Sequence, residues 1–299
     1  MAQGVNNYCI LGLARVVSRR ITRSRAYWLA RRFAGIFHAL DHRGRRAVVT
    51  NCRRILTFQG AAHPDAEAAR MAREVFQMFG LHLADFFRFE HITRNDLEPL
   101  IVYEGLTHLE TAFAAHRGVI LITAHLGNWE LGGAVISALG YPLTAVAFPE
   151  RVGKTNELFQ QQRRRRGIRV LTFGSAARGS LDALSRGEIV GMLADRDFTR
   201  HQETIPFFGE PARLPTAPVR ISLRTGAPIL PGFVIRRPDN RFTVRFHPPL
   251  WPDPASDPTA TRASIRDALQ TEIGRHPTQW FVFHDFWAKG SLYAPTTPR

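Results

Sequence analysis

Cysteine is scarce in this sequence, and its scarcity excludes two classes of protein. Among 299 residues only Cys9 and Cys52 occur. Two cysteines are too few for a disulfide framework and do not have the spacing of a metal site. Motifs for P-loop, zinc-protease and dinucleotide sites (GxxxxGKS/T, HExxH and GxGxxG) are absent as well. We therefore expect a reduced chain without a metal ion or a bound cofactor.

Uninterrupted apolar runs of membrane-spanning length are also missing. The longest uncharged stretch, residues 131–149, is split by Gly140 and Pro142 into a helix-sized and a strand-sized piece. The first basic residue, Arg15, follows the short apolar start of the chain, whereas a secretory signal carries its positive charge first. The sequence therefore predicts neither a classical membrane span nor a secretory signal.

Lysine is nearly absent, yet the chain is strongly basic. Lys154 and Lys289 are the only lysines, so arginine provides almost all of the 40 cations that face 25 acids, for a net charge of +15. Such an excess predicts an anionic partner, which can be nucleic acid, membrane lipid or an acidic carrier protein. A hydrophobic content of 44% excludes intrinsic disorder.

The positive charge is concentrated at the start of the chain. Residues 1–55 contain twelve arginines and one acid, a net charge of +11. Within them, Leu29, Phe33, Ile36 and Leu40 recur at the spacing of one helical face. A basic amphipathic helix suits an anionic membrane surface, although an ordinary helix with a solvated arginine face would show the same pattern. We predict that residues 1–60 form membrane-docking helices and that residues 61–299 form one catalytic domain.

Apolar strands and helical stretches alternate after residue 100. Residues 118–124 and 188–194 are short apolar runs next to glycine, the pattern of strands buried in a parallel sheet. Further strand patterns cover 143–148, 168–173, 227–235 and 241–247, and helical patterns cover 66–90, 129–139, 154–166, 181–186 and 259–275. The alternation predicts an α/β fold with a largely parallel central sheet flanked by helices.

One short segment brings a histidine and an acid to the end of a predicted strand. His125 follows strand 118–124, Gly127 permits a tight turn, and Asn128 is a favourable helix N-cap. Ligands of open α/β sheets bind outside the carboxyl ends of the strands. With Glu130 in the first turn of the next helix, both side chains can face one cleft and remove a proton from a hydroxyl. The alternative is a histidine that only makes structural hydrogen bonds.

This segment, HLGNWE at residues 125–130, resembles the motif of the bacterial lipid A biosynthesis acyltransferases, within the lysophospholipid-acyltransferase-like superfamily. It is also similar to that of the phosphatidylinositol mannoside acyltransferases. Further blocks follow in the order of the family: Arg163 with Gly167, then residues 193–197, 207–211, 216–218 and 279–280. The resemblance covers about residues 100–287 and implies a glycerol-phosphate-acyltransferase-like fold.

The resemblance implies roles for three residues. His125 would act as general base on an acceptor hydroxyl that attacks an acyl thioester, with Glu130 orienting or assisting it. Asp195 matches an acid that the mannoside acyltransferases place against the histidine, and it follows predicted strand 188–194. A carboxylate that accepts the ring N–H fixes the tautomer of the base. Both acids are candidates for that task, and Glu130 is favoured.

Two arginines are predicted to bind substrate. In the family, the arginine four residues before the glycine of its block faces the cleft, so Arg163 is expected to bind a phosphate or head group bidentately. Arg163 begins a block of four arginines, residues 163–166, and a solvated helix face is the alternative for the other three. Arg196 stands between two acids in the sequence, so it is assigned either to substrate binding or to a structural ion pair.

Four more residues complete the predicted substrate-binding set. Phe207 and Phe208 are expected to form a loop over an acyl channel, because a hydrocarbon chain needs an apolar lining. Simple anchoring of the loop would explain the same residues. Asn128 and Trp129 are assigned to substrate binding from their place in the motif.

The function predicted from these observations is O-acyl transfer at the cytoplasmic face of an inner membrane. The acceptor would be a hydroxyl of a glycolipid such as a lipid A precursor, with a lysophospholipid or another glycolipid as the alternative. The donor would be acyl-carrier protein, an acidic partner for a basic surface, or acyl-CoA. An inactive membrane-binding relative and a nucleic-acid-binding protein are the competing classes. Nucleic-acid binding leaves the His125 motif unexplained, so no nucleic-acid partner is expected.

Overall fold

A computed structural model describes residues 20–89, 93–147, 153–196, 202–253 and 257–288. The first nineteen residues belong to the predicted docking segment and lie outside the described residues. Ten helices and nine strands occur in the described part. The helices are α1 (Arg23–Leu40), α2 (His42–Phe58), α3 (Pro64–Arg88), α4 (Arg94–Leu97), α5 (Leu106–Ala114), α6 (Trp129–Ala138), α7 (Gly153–Arg165), α8 (Ala176–Ser185), α9 (Ala217–Thr225) and α10 (Pro258–Arg275). The strands are β1 (Ile101–Glu104), β2 (Val119–Thr123), β3 (Leu143–Val146), β4 (Arg169–Leu171), β5 (Ile189–Leu193), β6 (Gln202–Phe207), β7 (Glu210–Pro215), β8 (Ile229–Arg236) and β9 (Phe242–Phe246).

Seven of the strands form one mostly parallel sheet, which confirms the predicted fold class. Its order is β1-β9-β8-β2-β5-β3-β4. Strands β8, β2, β5, β3 and β4 run parallel to one another, whereas β9 runs antiparallel to β8. The central strands β2 and β5 pair in register from Val119 and Ile189 to Thr123 and Leu193. Their carboxyl ends therefore meet at the same edge of the sheet.

The segment expected to be a loop over a channel is instead the turn of a β-hairpin. Strands β6 and β7 pair antiparallel, and Phe207 faces Glu210 across a two-residue turn of Phe208 and Gly209. Both turn residues have positive φ angles, 50° and 76°. Tight hairpins favour such angles because the turn then twists in the same sense as its strands. The predicted loop residues therefore end one strand and begin the next.

Helices α1 and α2 pack against α3, and α2 also reaches the core beneath the sheet. Ile55 is fully buried in the largest apolar cluster. The side-chain amide of Asn51 donates to the carbonyl oxygens of Val282 and His284. These contacts join residues on both sides of residue 60, the boundary proposed from the sequence.

Helix α1 has two contrasting faces. Its inner face buries Ala26, Tyr27 and Ala34. Tyr27 donates a hydrogen bond to Asp85 from this inner face. Its outer face exposes five large apolar side chains, each more than half accessible: Trp28, Phe33, Ile36, Phe37 and Leu40. Among the described residues, no helix has both the length and the apolarity that a membrane span requires.

Candidate active site

The turn that carries His125 is fixed by backbone hydrogen bonds at the carboxyl edge of the sheet. Gly127 has φ of 63°, and a Cβ at this position would lie 1.9 Å from the carbonyl oxygen of Val234. The Gly127 N–H donates to the carbonyl of Gln279, and the Asn128 N–H donates to that of Val234. The Asn128 side chain accepts from the Leu131 N–H, so it caps α6 as predicted. Only glycine fits the crowded position, and the turn therefore holds His125 in a fixed place.

Asp195 is the carboxylate that contacts His125. Its Oδ1 lies 2.9 Å from Nδ1 of the imidazole, and its Oδ2 accepts from the His125 backbone N–H at 3.0 Å. Asp195 follows β5 and His125 follows β2, so the pairing of these strands brings them together. The sequence favoured Glu130 for this contact, and that preference is wrong.

The Asp195 carboxylate is enclosed and fully buried. Burial by itself raises its pKa, but the nearby His125 and the hydrogen bonds from His125 and Trp280 outweigh burial, so the pKa lies below its ordinary value. The Trp280 indole N–H donates to Oδ2 at 2.9 Å. A charged carboxylate opposite Nδ1 keeps the proton on Nδ1 and leaves Nε2 as the basic nitrogen.

Glu130 faces Arg163 instead. Its two carboxylate oxygens accept from Nη2 and Nε of Arg163 at 2.5 and 3.2 Å. Burial raises the pKa of Glu130, but the Arg163 charge and hydrogen bond outweigh it and hold the pKa below the ordinary value. Arg163 therefore makes an ion pair inside the protein, where the sequence predicted a contact to a phosphate or head group. Both side chains line the cavity described below.

Arg166 anchors the end of α3. Its guanidinium donates to the carbonyl oxygens of Phe86 and Phe89 at 3.0 and 3.2 Å. The last carbonyls of a helix have no partner within the helix, and a cation there is favourable. Within the arginine block, residues 163–166, Arg163 thus pairs with Glu130, and Arg166 caps the end of α3.

An apolar cavity of about 630 Å³ opens beside His125. The ionisable side chains among its described lining residues are His82, His125, Glu130, Arg163 and Arg196. The apolar lining includes Leu121, Ile136, Leu143, Ile168, Phe233, Val234 and Val244, and glycines at 132, 133, 191 and 232. A long apolar pocket with a few polar groups is the environment that a hydrocarbon chain needs.

Two of the residues predicted to bind substrate line the cavity. Trp129 lines it, with its ring centroid 5.2 Å from that of His125 in an edge-to-face arrangement. Arg196 lines it as well, and its Nη2 lies 2.7 Å from Nδ1 of His284. Burial and the Arg196 charge lower the pKa of His284 to about 4, so this imidazole stays neutral.

Three other predicted contacts do not line the cavity. Phe207 and Phe208 are buried in the main core and pack against Trp287. Asn128 is buried too, and it donates to Asp85 at 3.2 Å in addition to capping α6. All three side chains therefore make contacts within the protein: Phe207 and Phe208 anchor the hairpin, and Asn128 caps α6.

Sequence reasoning did not single out three residues at or beside the site: Trp280, His82 and His284. Trp280 belongs to the block at residues 279–280, which was recognised without a role. His82 lies within the amphipathic pattern of α3, where a histidine between apolar residues carries no signal of its own. His284 contacts Arg196 across 88 positions of the sequence, and no local pattern signals such a contact.

The geometry places an imidazole paired with a carboxylate beside an apolar cavity, and no group of three or more potential metal ligands occurs among the described residues. A family model for bacterial lipid A biosynthesis acyltransferases matches residues 8–289. A phosphatidylinositol mannoside acyltransferase of Mycobacterium tuberculosis is 27% identical over 252 residues, covering 82% of this chain and 78% of that protein. The lipid A biosynthesis palmitoleoyltransferase of Escherichia coli is 26% identical over 224 residues, covering 74% and 72%. Because the family model spans the cavity and the whole sheet, the chain belongs to the bacterial lipid A biosynthesis acyltransferase family and is an acyltransferase.

Proposed function

We propose that the protein transfers a fatty acyl chain from a thioester to a hydroxyl group of a membrane glycolipid, such as a lipid A precursor. The observation that carries this proposal is the His125–Asp195 pair on the wall of an apolar cavity. The pair provides a base for the hydroxyl, and the cavity provides a place for the hydrocarbon chain. An inactive relative would have no need for a buried carboxylate bonded to an imidazole that lines a cavity.

In this reaction His125 Nε2 accepts the proton of the acceptor hydroxyl as its oxygen attacks the thioester carbonyl carbon. A C–O bond forms, and the carbonyl electrons move onto oxygen to give a tetrahedral intermediate. When the carbonyl re-forms, the C–S bond breaks and the departing sulfur takes the proton from the imidazolium. The products are an ester and a free thiol, and Asp195 stabilises the imidazolium while it exists. No cofactor is needed beyond the thioester co-substrate.

The outer face of α1 is the surface that we assign to membrane docking. Its five exposed apolar side chains lie on the helix that also carries Arg31 and Arg32. Apolar residues in the acyl boundary with arginines at the head groups are the pattern of an interfacial helix. Each arginine near an anionic surface contributes about 1 kcal/mol. The face therefore suits an anionic bilayer, and nucleic acid offers nothing to bury these apolar groups.

The position of α1 supports this assignment. Arg23 of α1 donates to the carbonyl of Asn240, in the connection that follows β8. Strand β8 is parallel to β2, so this connection lies at the same edge of the sheet as His125. Docking through α1 brings the edge that carries the cavity towards the lipid, as an acceptor embedded in the bilayer requires. We place the enzyme at the cytoplasmic face of the inner membrane, where acyl thioesters are made.

The donor that fits best is acyl-carrier protein. The chain carries a net charge of +15, and a basic surface attracts an acidic carrier over a distance of about a Debye length, 8 Å at physiological salt. Acyl-CoA, which carries phosphate charges of its own, is the alternative donor.

The test is acyl transfer by the purified protein on anionic vesicles. The donors are palmitoyl-acyl-carrier protein and palmitoyl-CoA. Separate vesicle samples contain a lipid A precursor, a phosphatidylinositol mannoside or a lysophospholipid, and mass spectrometry detects the acylated product. We expect a lipid A precursor to gain one acyl group, with acyl-carrier protein as the faster donor. If only the lysophospholipid gave a product, the acceptor would be a lysophospholipid and not a glycolipid. If no combination of donor and acceptor gave a product, the proposed acyl transfer to membrane lipids would be wrong.

A further inference from the structure

A second imidazole, that of His82, lies in the wall of the cavity and has no part in the reaction described above. His82 belongs to α3, is buried, and lines the cavity with His125. Its ring stacks on Trp129 at 4.3 Å between ring centroids and on Phe79 at 5.9 Å. Two aromatic rings thus hold the imidazole in one orientation.

Burial keeps His82 neutral. Desolvation lowers its pKa to about 4, although the nearby Glu130 acts in the opposite direction and Arg236, His125 and Arg166 act in the same one. A neutral imidazole carries one N–H and one acceptor nitrogen. His82 can therefore donate one hydrogen bond, but it does not exchange a proton near neutral pH.

The surroundings of the ring indicate where that proton lies. Nδ1 is buried and has no hydrogen-bond partner among the described residues. A buried N–H without an acceptor costs about 1–3 kcal/mol, and such groups are rare in folded proteins. The proton is therefore favoured on Nε2, which leaves only a lone pair at the buried position.

The distance between the two imidazoles suits a shared reaction centre. Trp129 contacts both rings, at 4.3 Å from His82 and 5.2 Å from His125 between centroids. Because these two distances set an upper limit, the imidazole centroids lie within 9.5 Å of each other. A base nitrogen, an attacking hydroxyl, an acyl carbon and a donor to its oxygen together span on the order of 7 Å at normal hydrogen-bond lengths.

We propose that the Nε2–H of His82 donates a hydrogen bond to the thioester carbonyl oxygen as negative charge develops on it, which makes His82 a second catalytic residue. This inference rests on the proposed acyl transfer. His125 moves the proton of the hydroxyl, and His82 stabilises the oxyanion on the same tetrahedral centre without losing its own proton. A neutral imidazole is suited to this task because it donates at constant charge throughout the reaction.

A purely structural role explains the position poorly. Phe79, Trp129 and Phe281 surround His82, so a phenylalanine would fill the site without leaving a polar atom unpaired. The protein instead keeps a side chain with an unsatisfied nitrogen against the cavity. The unpaired atom is Nδ1, a cost that phenylalanine would avoid, and an Nε2–H reserved for substrate gives a reason to keep the imidazole.

Two variants separate the donor from the aromatic packing. His82→Phe keeps a ring between Phe79 and Trp129 but removes the N–H. His82→Gln loses the ring but can place an amide N–H near the position of Nε2. His63→Phe is the matched control, since His63 is an exposed residue just before α3 whose side chain makes no cap hydrogen bond.

The measurements are kcat and the KM for the acyl donor in transfer, the rate of thioester hydrolysis without acceptor, and the melting temperature. We expect His82→Phe to lower kcat by about 10²-fold, the usual loss of one oxyanion donor, and to lower hydrolysis by a similar factor. Its KM and melting temperature should match those of the parent protein. Its kcat–pH profile should match as well, because His82 does not titrate near neutral pH. His82→Gln should recover about tenfold of the lost rate, and His63→Phe should be silent.

Each other result would overturn the inference in a specific way. A parental kcat in His82→Phe would show that the N–H does not act in the reaction. A loss of transfer with normal hydrolysis would make His82 a contact to the acceptor lipid, and a loss that follows the melting temperature would make it structural. In both cases the parent protein still transfers acyl groups, so the proposed function stands. Absence of transfer by the parent protein would remove the proposed function and this inference together.

Discussion

Two buried carboxylates near the cavity, those of Asp195 and Glu130, have opposite surroundings. Asp195 faces the imidazole of His125, a ring that can accept and release a proton, whereas Glu130 faces the guanidinium of Arg163, which stays charged. Both carboxyl groups have pKa values below their ordinary ones. The comparison teaches that the partner matters: a guanidinium keeps its proton, whereas an imidazole held by a carboxylate can take part in proton transfer. We therefore assign proton transfer to the His125–Asp195 pair, and we assign structural support of the cavity wall to the Glu130–Arg163 pair.

The largest effect on rate should come from the Asp195 side. Asp195→Asn keeps the size and one acceptor oxygen but removes the charge that stabilises the imidazolium, so kcat should fall by about 10²–10⁴-fold. The KM for the donor should change little, because Asp195 does not line the cavity. Steady-state transfer measures the change, with Asp239→Asn, at an exposed hairpin turn, as the control. A loss below fivefold would contradict the assignment of Asp195 as the partner of the base.

The largest effect on stability should come from the Glu130 side. Arg163→Ala leaves a buried carboxylate without its partner, which typically costs about 3–5 kcal/mol. In the parent protein the lowered pKa of Glu130 contributes stability above its ordinary pKa of 4.5, and this contribution is lost as the pH falls through the folded-state value. In the variant burial dominates and raises the pKa, so stability should fall as the pH rises from 4.5.

Urea unfolding between pH 3 and pH 8 measures this opposite dependence on pH, because the loss in the parent protein lies below pH 4.5 and the loss in the variant lies above it. Arg164→Ala is the matched control, since Arg164 is exposed on the same helix, α7. Equal pH profiles for the two variants would show that the Glu130–Arg163 pair does not stabilise the fold.

The sequence predicted the α/β fold and the place of His125, because both follow from local patterns. Alternating apolar runs identify a parallel sheet, and a histidine after a buried strand lies at its carboxyl edge. The partner of His125 was harder to choose. Glu130 is close in sequence, but Asp195, 70 residues away, is close in space because β2 and β5 are neighbours.

Contacts made by side chains at long range could not be predicted from the sequence. Arg163 looked like a phosphate contact because its block resembled a family motif, and nothing local revealed that Glu130 would neutralise it. Phe207 and Phe208 looked like a channel loop because apolar residues next to glycine fit a loop and a hairpin turn equally well. Their burial depends on Trp287, 79 and 80 positions later, and the pattern of one segment carries no information on such a partner.

A smaller effect should appear at Gly191, in the part of the cavity that β5 lines. Gly191 lines it from β5, two residues before the end of the strand and so about 7 Å from the edge that carries His125. A Cβ at Gly191 would meet Leu143 at 3.5 Å, an ordinary contact, so a larger side chain can enter the cavity. Gly191→Val should therefore shift the preference to a shorter acyl chain. Each methylene that no longer fits in the cavity loses about 0.8 kcal/mol of binding free energy.

Competition between C12, C14 and C16 thioesters measures this preference. Gly174→Ala is the control, because a Cβ there would meet nothing within 4 Å and Gly174 does not line the cavity. An unchanged preference in Gly191→Val would show that the acyl chain does not reach this part of the cavity.

The smallest effect on chemistry should come from the outer face of α1, whose exposed side chains do not line the cavity. Replacing Phe33, Ile36 and Leu40 together by serine removes about 1.5–3 kcal/mol of apolar burial for each residue, so vesicle binding should fall by more than 10²-fold. Hydrolysis of a soluble thioester should stay within twofold of the parent. Vesicle flotation measures the binding, with Trp251→Ser as the control, because Leu250 beside it pairs with Ile229 at the opposite edge of the sheet. Parental flotation of the triple variant would rule out α1 as the docking surface.

The central claim is that His125 takes the proton of an acceptor hydroxyl during acyl transfer from a thioester. The most direct measurement counts both products, ester by mass spectrometry of a deuterated acyl chain and free thiol by a colorimetric reagent, for the parent protein and for His125→Ala. The account predicts one thiol for each ester formed by the parent protein, and a rate at least 10²-fold lower in a His125→Ala protein that melts at the parental temperature. Ester formation by His125→Ala at the parental rate would contradict it.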